Sequence, residues 1–173
     1  MVQTKKIVLV GPESTGKTTL AQQLAAHFDT VLVEEYGRTY CEKFGNDCDA
    51  LDLCHIAAGQ LYWEDEAARK ARHHLLICDT DVIVTQTFAE LYLGVCPDVI
   101  VQLARSRHYE LYLLLNTDLP WIDDGTRLFA KQRQWHFNRL KEILESQNRP
   151  YAVISGTFEE RLIRAIDAVR AIL

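Results

Sequence analysis

Residues 11–20 read GPESTGKTTL, and two glycines, a lysine and a hydroxyl at this spacing match the pattern GxxxxGK[ST]. The stretch follows KKIVLV at residues 5–10, a short β-branched run typical of a central parallel strand. It leads into residues 17–28, where apolar side chains recur at helical spacing. A glycine loop between a strand and a helix turns its N–H groups and the helix N-terminus toward phosphate groups. The stretch therefore predicts a phosphate-binding loop.

Each residue of this loop has an expected role in holding ATP. Lys17 is expected to reach the β- and γ-phosphates, and the hydroxyl of Thr18 is expected to bind Mg²⁺. Because Pro12 has no N–H, the donors to phosphate must come from later positions. A glycine-rich turn can match the motif by chance, but the flanking strand and helix disfavour that alternative. The predicted nucleotide-binding residues are Gly11, Ser14, Thr15, Gly16, Lys17, Thr18 and Thr19.

The rest of the chain alternates strand and helix patterns, which is typical of a parallel sheet covered on both faces. Helical patterns occupy residues 49–72 and 82–94. The last stretch of the chain is also predicted to be a helix, with one apolar face formed by Leu162, Ile166, Val169 and Leu173. Further strands are predicted at residues 30–36, 73–81, 109–116 and 151–155.

These elements predict an α/β fold of the P-loop NTPase type. The sheet is expected to have about five parallel strands, with helices on both faces and a short lid. Since there is no repeat, low-complexity tract or linker, residues 1–173 are predicted to form a single kinase-like domain.

Composition excludes several classes of partner. The 173 residues are 48% hydrophobic and have a formal charge of −5, from 19 basic and 24 acidic residues. Nucleic acids and acidic membranes attract basic surfaces, so neither is an expected partner. No apolar run approaches the ~20 residues that cross a bilayer, and residues 1–10 are interpreted as a strand instead of a signal peptide.

The cysteines indicate a reducing environment. Their number is odd and no CxxC pair occurs, so a disulfide framework is not expected. Their spacing matches no zinc pattern, and small buried thiols are the favoured interpretation. The predicted location is the cytoplasm. The five cysteines are Cys41, Cys48, Cys54, Cys78 and Cys96.

An acidic residue that helps to hold Mg²⁺ is expected at the end of a buried strand near the loop. Asp79, which ends LLICD at residues 75–79, is predicted to hold the ion directly or through water. The alternative for Asp79 and for Asp81 is a helix-capping role. Asp79 is followed by Thr80 instead of the glutamate with which motor ATPases activate water, and no NKxD motif of GTPases is present. Phosphate transfer to a bound acceptor is therefore favoured over hydrolysis.

A second polar segment, EEYGR at residues 34–38, follows the second predicted strand. In open α/β sheets ligands bind beyond the carboxyl ends of the strands, so Glu34, Glu35 and Arg38 are candidate acceptor ligands. A carboxylate there can bind ribose hydroxyls or act as a base. The alternative is a solvated acidic turn in which Arg38 neutralises the glutamates. Tyr92 can stack on an aromatic ring or belong to the core.

The stretch LPWIDDGTRLFAKQRQWHF at residues 119–137 has the composition of a mobile lid. Arg127 and Lys131 are four residues apart, so on a helix they lie on one face and can meet the transferring phosphate upon closure. Trp121 is a candidate contact with the acceptor. The alternative is an exposed helix start with ordinary basic residues.

Taken in order, GPESTGKTTL, EYGR, DTD…TQTF…Y and PWIDDGTR resemble the nicotinamide-riboside kinase domain of the NadR family over nearly the whole chain. The resemblance implies ATP-dependent phosphorylation of nicotinamide riboside to its mononucleotide, in NAD salvage. It assigns Gly11, Gly16, Lys17 and Thr18 to the phosphate loop and Asp79 to the Mg²⁺ side. It also implies site roles for Glu35, Arg38, Asp81, Arg127 and, as one wall of the pyridine pocket, Tyr92.

The chain departs from the family in two ways. The family usually has a tryptophan before EYGR, where this chain has Glu34. One face of the aromatic sandwich around the pyridine is then missing, although an inward Glu34 carboxylate would attract a cationic pyridinium. The chain also has no HxGH-like nucleotidyltransferase motif and no DNA-binding segment. It is therefore expected to act as a stand-alone kinase-like domain.

The predicted function is transfer of the γ-phosphate of ATP, with Mg²⁺, to a small nucleoside-like acceptor, first of all nicotinamide riboside. The alternatives are a kinase for another nucleoside or nucleotide, and a non-catalytic ATP-binding regulatory module. Thr18 and Asp79 are the predicted metal ligands. Catalytic roles are expected for Lys17, Glu35, Asp81 and Arg127. The predicted acceptor-binding residues are Glu34, Glu35, Arg38, Asp81, Tyr92 and Trp121.

Overall fold

A computed structural model of the protein describes residues 4–122 and 130–173. Within those ranges the strands form one parallel sheet in the order β2-β3-β1-β4-β5. The predicted parallel sheet of about five strands is therefore confirmed. The strands are β1 Lys5–Val10, β2 Val31–Val33, β3 Leu75–Asp79, β4 Leu111–Leu115 and β5 Tyr151–Ile154.

Helices connect the strands and cover both faces of the sheet. The sequence predicted α1, α3, α4 and α7, and these helices are confirmed. It assigned no helix to the segments that form α2, α5 and α6. The helices are α1 Lys17–His27, α2 Tyr36–Phe44, α3 Ala50–Ala68, α4 Val82–Leu93, α5 Asp98–Arg105, α6 Arg133–Ser146 and α7 Phe158–Arg170.

Local composition explains why helix α2 was not predicted. It contains Gly37 and Thr39, which are weak helix formers, and it has no leucine or alanine. It is formed through packing against α3, where the ring of Tyr36 meets Trp63 edge-on with the ring centroids 4.9 Å apart. Tertiary contact thus overrides local propensity, and the acidic segment becomes the start of a helix.

Alternating side chains of β1 show how the sheet is buried. Ile7 and Leu9 face a core that includes Leu24 of α1 and Val169 of α7. Val8 and Val10 point the other way, into a second core contributed largely by α3, α4, α5 and α6. All four of these β1 side chains are inaccessible to solvent. Burial on both faces accounts for the continuous apolar run that identified the strand.

The strand order creates a crevice at the carboxyl end of β1. The chain visits β2 and β3 on one side of β1 and then crosses to β4 and β5 on the other, which is the switch point where open α/β sheets bind ligands. In the register, Leu9 pairs with Asp79, and the N–H of Thr80 donates to the carbonyl of Leu9 at 3.0 Å. Asp79 therefore lies beside the root of the phosphate loop.

No helix in the described parts of the chain is both long and apolar enough to cross a membrane. All the cysteines are free thiols, of which Cys48 and Cys78 are buried. Among the described residues no group of three histidine, cysteine or acidic side chains is arranged to hold a metal ion.

Candidate functional site

The loop between β1 and α1 has the backbone of a phosphate-binding site. Gly16 adopts a left-handed conformation with φ of 81°, and a Cβ there would lie 3.0 Å from the ring of Phe158. A Cβ on Gly11 would lie 2.9 Å from the carbonyl oxygen of Leu115. The N-cap residue of α1, Gly16, has no side chain with which to cap the first turn, which begins at Lys17. The helix therefore presents uncapped N–H groups, as an anion site requires.

Side chains below the loop hold its shape. The Thr15 hydroxyl, 1% exposed, donates to the carbonyl of Pro12 at 2.8 Å. Arg161 of α7, 2% exposed, donates to the carbonyl of Thr15 at 2.8 Å and forms an ion pair with Asp118. Arg133 at the start of α6 donates to the carbonyl of Ser14 at 3.2 Å. Arg161 of α7 and Arg133 of α6 thus hold the loop from two helices.

No sequence pattern indicated that Arg161 is structural. Its helix is amphipathic, and an arginine in such a helix normally lies in solvent. Its guanidinium is buried because it satisfies backbone carbonyls at the ends of neighbouring segments, including that of Asn116 at 3.1 Å. A contact of this kind depends on tertiary geometry and has no local pattern.

Thr18 and Asp79 meet as predicted for the metal side of the site. The Thr18 hydroxyl donates to Oδ2 of Asp79 at 2.6 Å. The other carboxylate oxygen, Oδ1, is buried without a hydrogen-bond partner among the described residues. Burial raises the pKa of Asp79, while the charge of Lys17 and the Thr18 hydrogen bond act in the opposite direction. An unpartnered carboxylate oxygen beside a hydroxyl is an oxygen donor set that fits Mg²⁺.

Lys17 lies close to Asp79 and to Glu35, and its charge lowers the pKa of both carboxyl groups. Its ammonium group donates to the carbonyl of Pro12 at 3.0 Å. Burial raises the pKa of Glu35, Lys17 lowers it, and Asp79 raises it. Because the charges of Lys17 and Asp79 both act on Glu35, the predicted phosphate-binding lysine, metal-binding carboxylate and catalytic base lie in one site.

The segment after β2 divides its two glutamates between the cleft and solvent. Glu35 is the N-cap residue of α2, but its carboxylate makes no capping hydrogen bond, and it lines the cleft together with Arg38. Glu34 is exposed and does not line the cleft. Within the described residues the structure therefore does not place Glu34 at the acceptor end of the cleft, although its charge raises the pKa of Asp79.

Beyond Glu35 the cleft continues between α2, α3 and α4. Its far end combines aromatic, aliphatic and thiol side chains, and the thiols of Cys41 and Cys48 are 3.8 Å apart. Tyr92 lines this part, as predicted, and Phe88 lies one turn before it with the ring centroids 6.4 Å apart. The sequence analysis assigned no role in the site to Phe88 or to the thiols. The described residues that line this far end are Cys41, Cys48, Leu53, Ile56, Val84, Phe88 and Tyr92.

The structure does not bring Asp81 into the cleft. Its side chain is 1% exposed, caps α4 by accepting the N–H of Ile83 at 3.1 Å, and accepts the Tyr112 hydroxyl at 3.3 Å. Burial and the charge of Glu64 raise the pKa of Asp81 to about 7. The catalytic and acceptor-binding roles expected for Asp81 are therefore corrected to the capping alternative, since its carboxylate points into the core.

A pH-dependent stability follows for Asp81. Its folded pKa of about 7 exceeds the ordinary value of 3.8. As pH rises from ~4 to ~7 the unfolded chain loses this proton before the folded chain does, so the carboxyl makes the free energy of unfolding fall. Asp81→Asn keeps an oxygen for the cap and removes the titration. Relative to wild type, the variant is expected to gain about 2–4 kcal/mol between pH 4 and pH 8, measured by urea denaturation.

Asp49→Asn, at the exposed N-cap of α3, is the matched control for a cap substitution on the surface. If the difference in the free energy of unfolding between wild type and Asp81→Asn stayed constant over this pH range, the burial argument would be contradicted.

The first residues of the predicted lid, up to Ile122, lie against the phosphate loop. The N–H of Ile122 donates to the Ser14 hydroxyl at 2.7 Å, so this segment packs on the loop. Trp121 is half-buried and does not line the cleft within the described residues, so its contact with the acceptor stays a prediction. The predicted lid arginine, Arg127, lies outside the described residues. Lys131 is exposed in a short 3-10 helix at Ala130–Gln132.

Comparison with known proteins yields matches over almost the whole chain. A family model described as an AAA domain matches residues 6–161. The trifunctional NAD biosynthesis/regulator protein NadR of Escherichia coli (strain K12) is 32% identical over 98% of this chain. The match covers 43% of that protein, so the chain spans less than half the length of the curated relatives it matches.

Solved structures give the same result. The crystal structure of NadR protein in complex with NR has a TM-score of 0.81 and 27% identity, covering 98% of this chain and 51% of that chain. Thymidylate kinase from Ehrlichia chaffeensis has a TM-score of 0.69 over 99% of this chain and 100% of its own, but at 16% identity it shows the fold alone. The predicted resemblance to NadR and the P-loop fold are both confirmed.

Proposed function

The chain belongs to the AAA domain family, and from the residues that line its cleft we propose that it transfers the γ-phosphate of ATP to nicotinamide riboside. The observation that carries this proposal is the meeting of Lys17, Asp79 and Glu35 at one end of a cleft that continues into an aromatic pocket. A phosphate loop and an enclosed space for a second ligand are what a kinase needs. The likeness to NadR in complex with NR supports the choice of acceptor.

At the ATP end, the chain supplies positive charge and backbone donors. The uncapped first turn of α1 faces the phosphates, and Lys17 exchanges the Pro12 carbonyl for phosphate oxygens. Thr18 and Asp79 would hold Mg²⁺. When bound, Mg²⁺ neutralises charge on the β- and γ-phosphate oxygens. Arg127 remains a proposed further cation for the transferring phosphate.

At the acceptor end, Glu35 is the proposed base. A carboxylate whose pKa is raised by burial holds a proton more readily than an exposed one, so it can accept the proton of the attacking hydroxyl. Arg38 lines the same part of the cleft and balances the negative charge. Tyr92 and Phe88 would stack on the nicotinamide ring. Its positive charge would be attracted by these two rings and by the Glu35 carboxylate.

Transfer is favoured over hydrolysis by the residue next to Asp79. Thr80 is 5% exposed and carries no carboxylate with which to activate water. Its hydroxyl is buried without a hydrogen-bond partner among the described residues, beside the cleft. The wall opposite the aromatic rings is aliphatic and thiol in character. That composition also accepts a neutral base, so a kinase for another nucleoside is the second candidate.

The two neighbouring glutamates provide a matched pair of variants. Glu35→Gln is expected to lower kcat by about 100-fold, because the amide cannot accept the proton of the acceptor hydroxyl. Glu34→Gln is expected to change kcat/KM and the preference among nucleosides by less than about twofold, because Glu34 is exposed outside the cleft. Steady-state kinetics with each acceptor check both. Equal effects from the two variants would refute the assignment of Glu35.

The proposed function is tested by ADP release with and without nicotinamide riboside, together with the mass of the product. ADP formation is expected to depend on the riboside and to match the formation of its mononucleotide one for one. ADP release that the riboside does not change, without a phosphorylated product, would overturn the proposal in favour of a hydrolase or a regulatory module.

A further inference from the structure

Gln60 of α3 is a buried polar residue in the cleft to which neither the sequence motifs nor the proposed mechanism gives a role. Its side chain is 1% exposed and lies on the lining of the cleft. Leu53 and Ile56, two turns and one turn earlier on the same helix, line the cleft as well. Of the α3 residues that line the cleft, Gln60 is therefore the polar one, beside the apolar Leu53 and Ile56.

The orientation of the Gln60 amide is fixed by the backbone. The N–H of Tyr36 donates to Oε1 of Gln60 at 2.9 Å. A backbone N–H can only donate, so the atom it meets must be the amide oxygen, and the NH₂ group must point the other way. That nitrogen, Nε2, is buried and has no hydrogen-bond partner among the described residues. Leaving a buried donor without an acceptor is costly, so a ligand atom is the expected partner.

Packing around Tyr36 holds this arrangement in place. The ring of Tyr36 lies so close to Gly59 that a Cβ there would be 2.3 Å from it. The same ring meets Trp63 edge-on at 4.9 Å between centroids. Helices α2 and α3 are thereby locked together, and the backbone donor that orients Gln60 cannot shift without breaking this contact.

The position of Gln60 selects the part of the acceptor that it meets. Its partner Tyr36 directly follows Glu35, so the amide lies at the Glu35 end of the cleft, away from the Cys48 and Leu53 end. A group between a carboxylate and an NH₂ donor must donate to the first and accept from the second. A hydroxyl does both through a single oxygen atom, whereas an N–H only donates and a carbonyl oxygen only accepts.

We propose that Gln60 is a positioning residue whose Nε2 donates a hydrogen bond to a sugar hydroxyl of the acceptor. This inference rests on the proposed function for the presence of a nucleoside in the cleft. It adds the residue that fixes the sugar relative to Glu35 and the phosphate loop. The hydrogen bond forms on binding, so it acts on acceptor affinity and on the alignment of the attacking hydroxyl.

Two variants test the proposal. Gln60→Met keeps the length and removes the donor, and Gln60→Glu keeps Oε1 for Tyr36 but replaces the donor by an acceptor. Both are expected to raise the Kd and KM for nicotinamide riboside by about tenfold or more, with the KM for ATP unchanged. Gln86→Met is the control, because Gln86 is also a buried glutamine but lies outside the cleft lining.

Deoxy analogues separate a sugar contact from a structural effect. In wild type, removing the hydroxyl that Gln60 meets, at the 2′ or the 3′ position, is expected to weaken binding about tenfold. In Gln60→Met, removing that same hydroxyl is expected to weaken binding no further. Unchanged riboside binding in both Gln60 variants, or full penalties for both deoxy analogues in Gln60→Met, would overturn the proposal. In those cases the amide meets only water.

The outcome is separable from that of the proposed function. If another nucleoside proves to be the acceptor, the assignment of nicotinamide riboside fails, and the same variants are measured with that nucleoside and its deoxy forms. A loss of the deoxy penalty in Gln60→Met then still supports the role of Gln60, and a retained penalty overturns it.

Discussion

Substituting Lys17 by alanine is expected to lower kcat for phosphate transfer by about 1,000-fold or more while the protein stays folded. Lys17 is the ammonium group at the phosphate end of the cleft, and it is predicted to stabilise the charge that develops on the transferring group. Among the described residues its ammonium group donates one hydrogen bond, to the Pro12 carbonyl. Thr15 and Arg161 hold the loop independently of it. The loss should therefore be catalytic and not structural.

Single-turnover formation of ADP and circular dichroism measure the two properties separately. Lys70→Ala makes the same substitution at an exposed position beyond the end of α3, and it serves as the control. Transfer by Lys17→Ala at the wild-type rate would mean that GPESTGKTTL is not the working phosphate loop.

Asp79→Asn is expected to lower kcat by about 300-fold and at the same time to stabilise the protein. The amide oxygen can still accept the Thr18 hydroxyl, so the local geometry is kept, but the negative charge that would hold Mg²⁺ is lost. Because burial raises the pKa of Asp79, its ionised form costs free energy at neutral pH. Removing that charge should raise Tm. The opposite signs of the two effects exclude unfolding as the cause of the lost activity.

The dependence of the rate on Mg²⁺ concentration completes this test. The rate of the wild-type protein should saturate at a lower Mg²⁺ concentration than the rate of Asp79→Asn. Asp52→Asn, at a partly exposed position in α3, should show the same dependence on Mg²⁺ as wild type. An Asp79→Asn variant with wild-type activity and Mg²⁺ dependence would show that the carboxylate is a structural cap only.

The parts that could be predicted from sequence are those encoded locally. The phosphate loop has fixed spacing because its backbone must wrap a phosphate, and β1, β3 and β4 each contain an unbroken apolar run because both faces of the sheet are buried there. Asp79 was identifiable because a carboxylate at the end of a central strand must lie beside the loop. These features depend on neighbours in the chain and on the order of the strands.

The parts that escaped prediction depend on contacts between distant segments. Asp81 is only two residues beyond Asp79, yet the turn at Thr80, with φ of 85°, sends its side chain into the core. Glu34 and Glu35 differ only in the direction set by the start of α2, a helix that weak local propensity concealed. Gln60 acquires its place from a hydrogen bond to Tyr36, 24 positions earlier in the sequence. No local pattern carries this information.

The most direct test of the account is the ratio of kcat/KM for nicotinamide riboside to that for uridine and adenosine, measured with the same enzyme at neutral pH. The riboside carries a pyridinium charge that neither of the other nucleosides has, and Glu35 with the rings of Phe88 and Tyr92 provides the negative and aromatic surroundings that attract it. The account predicts a preference of roughly tenfold or more for the riboside. Phosphorylation of uridine or adenosine with equal or higher kcat/KM would contradict it.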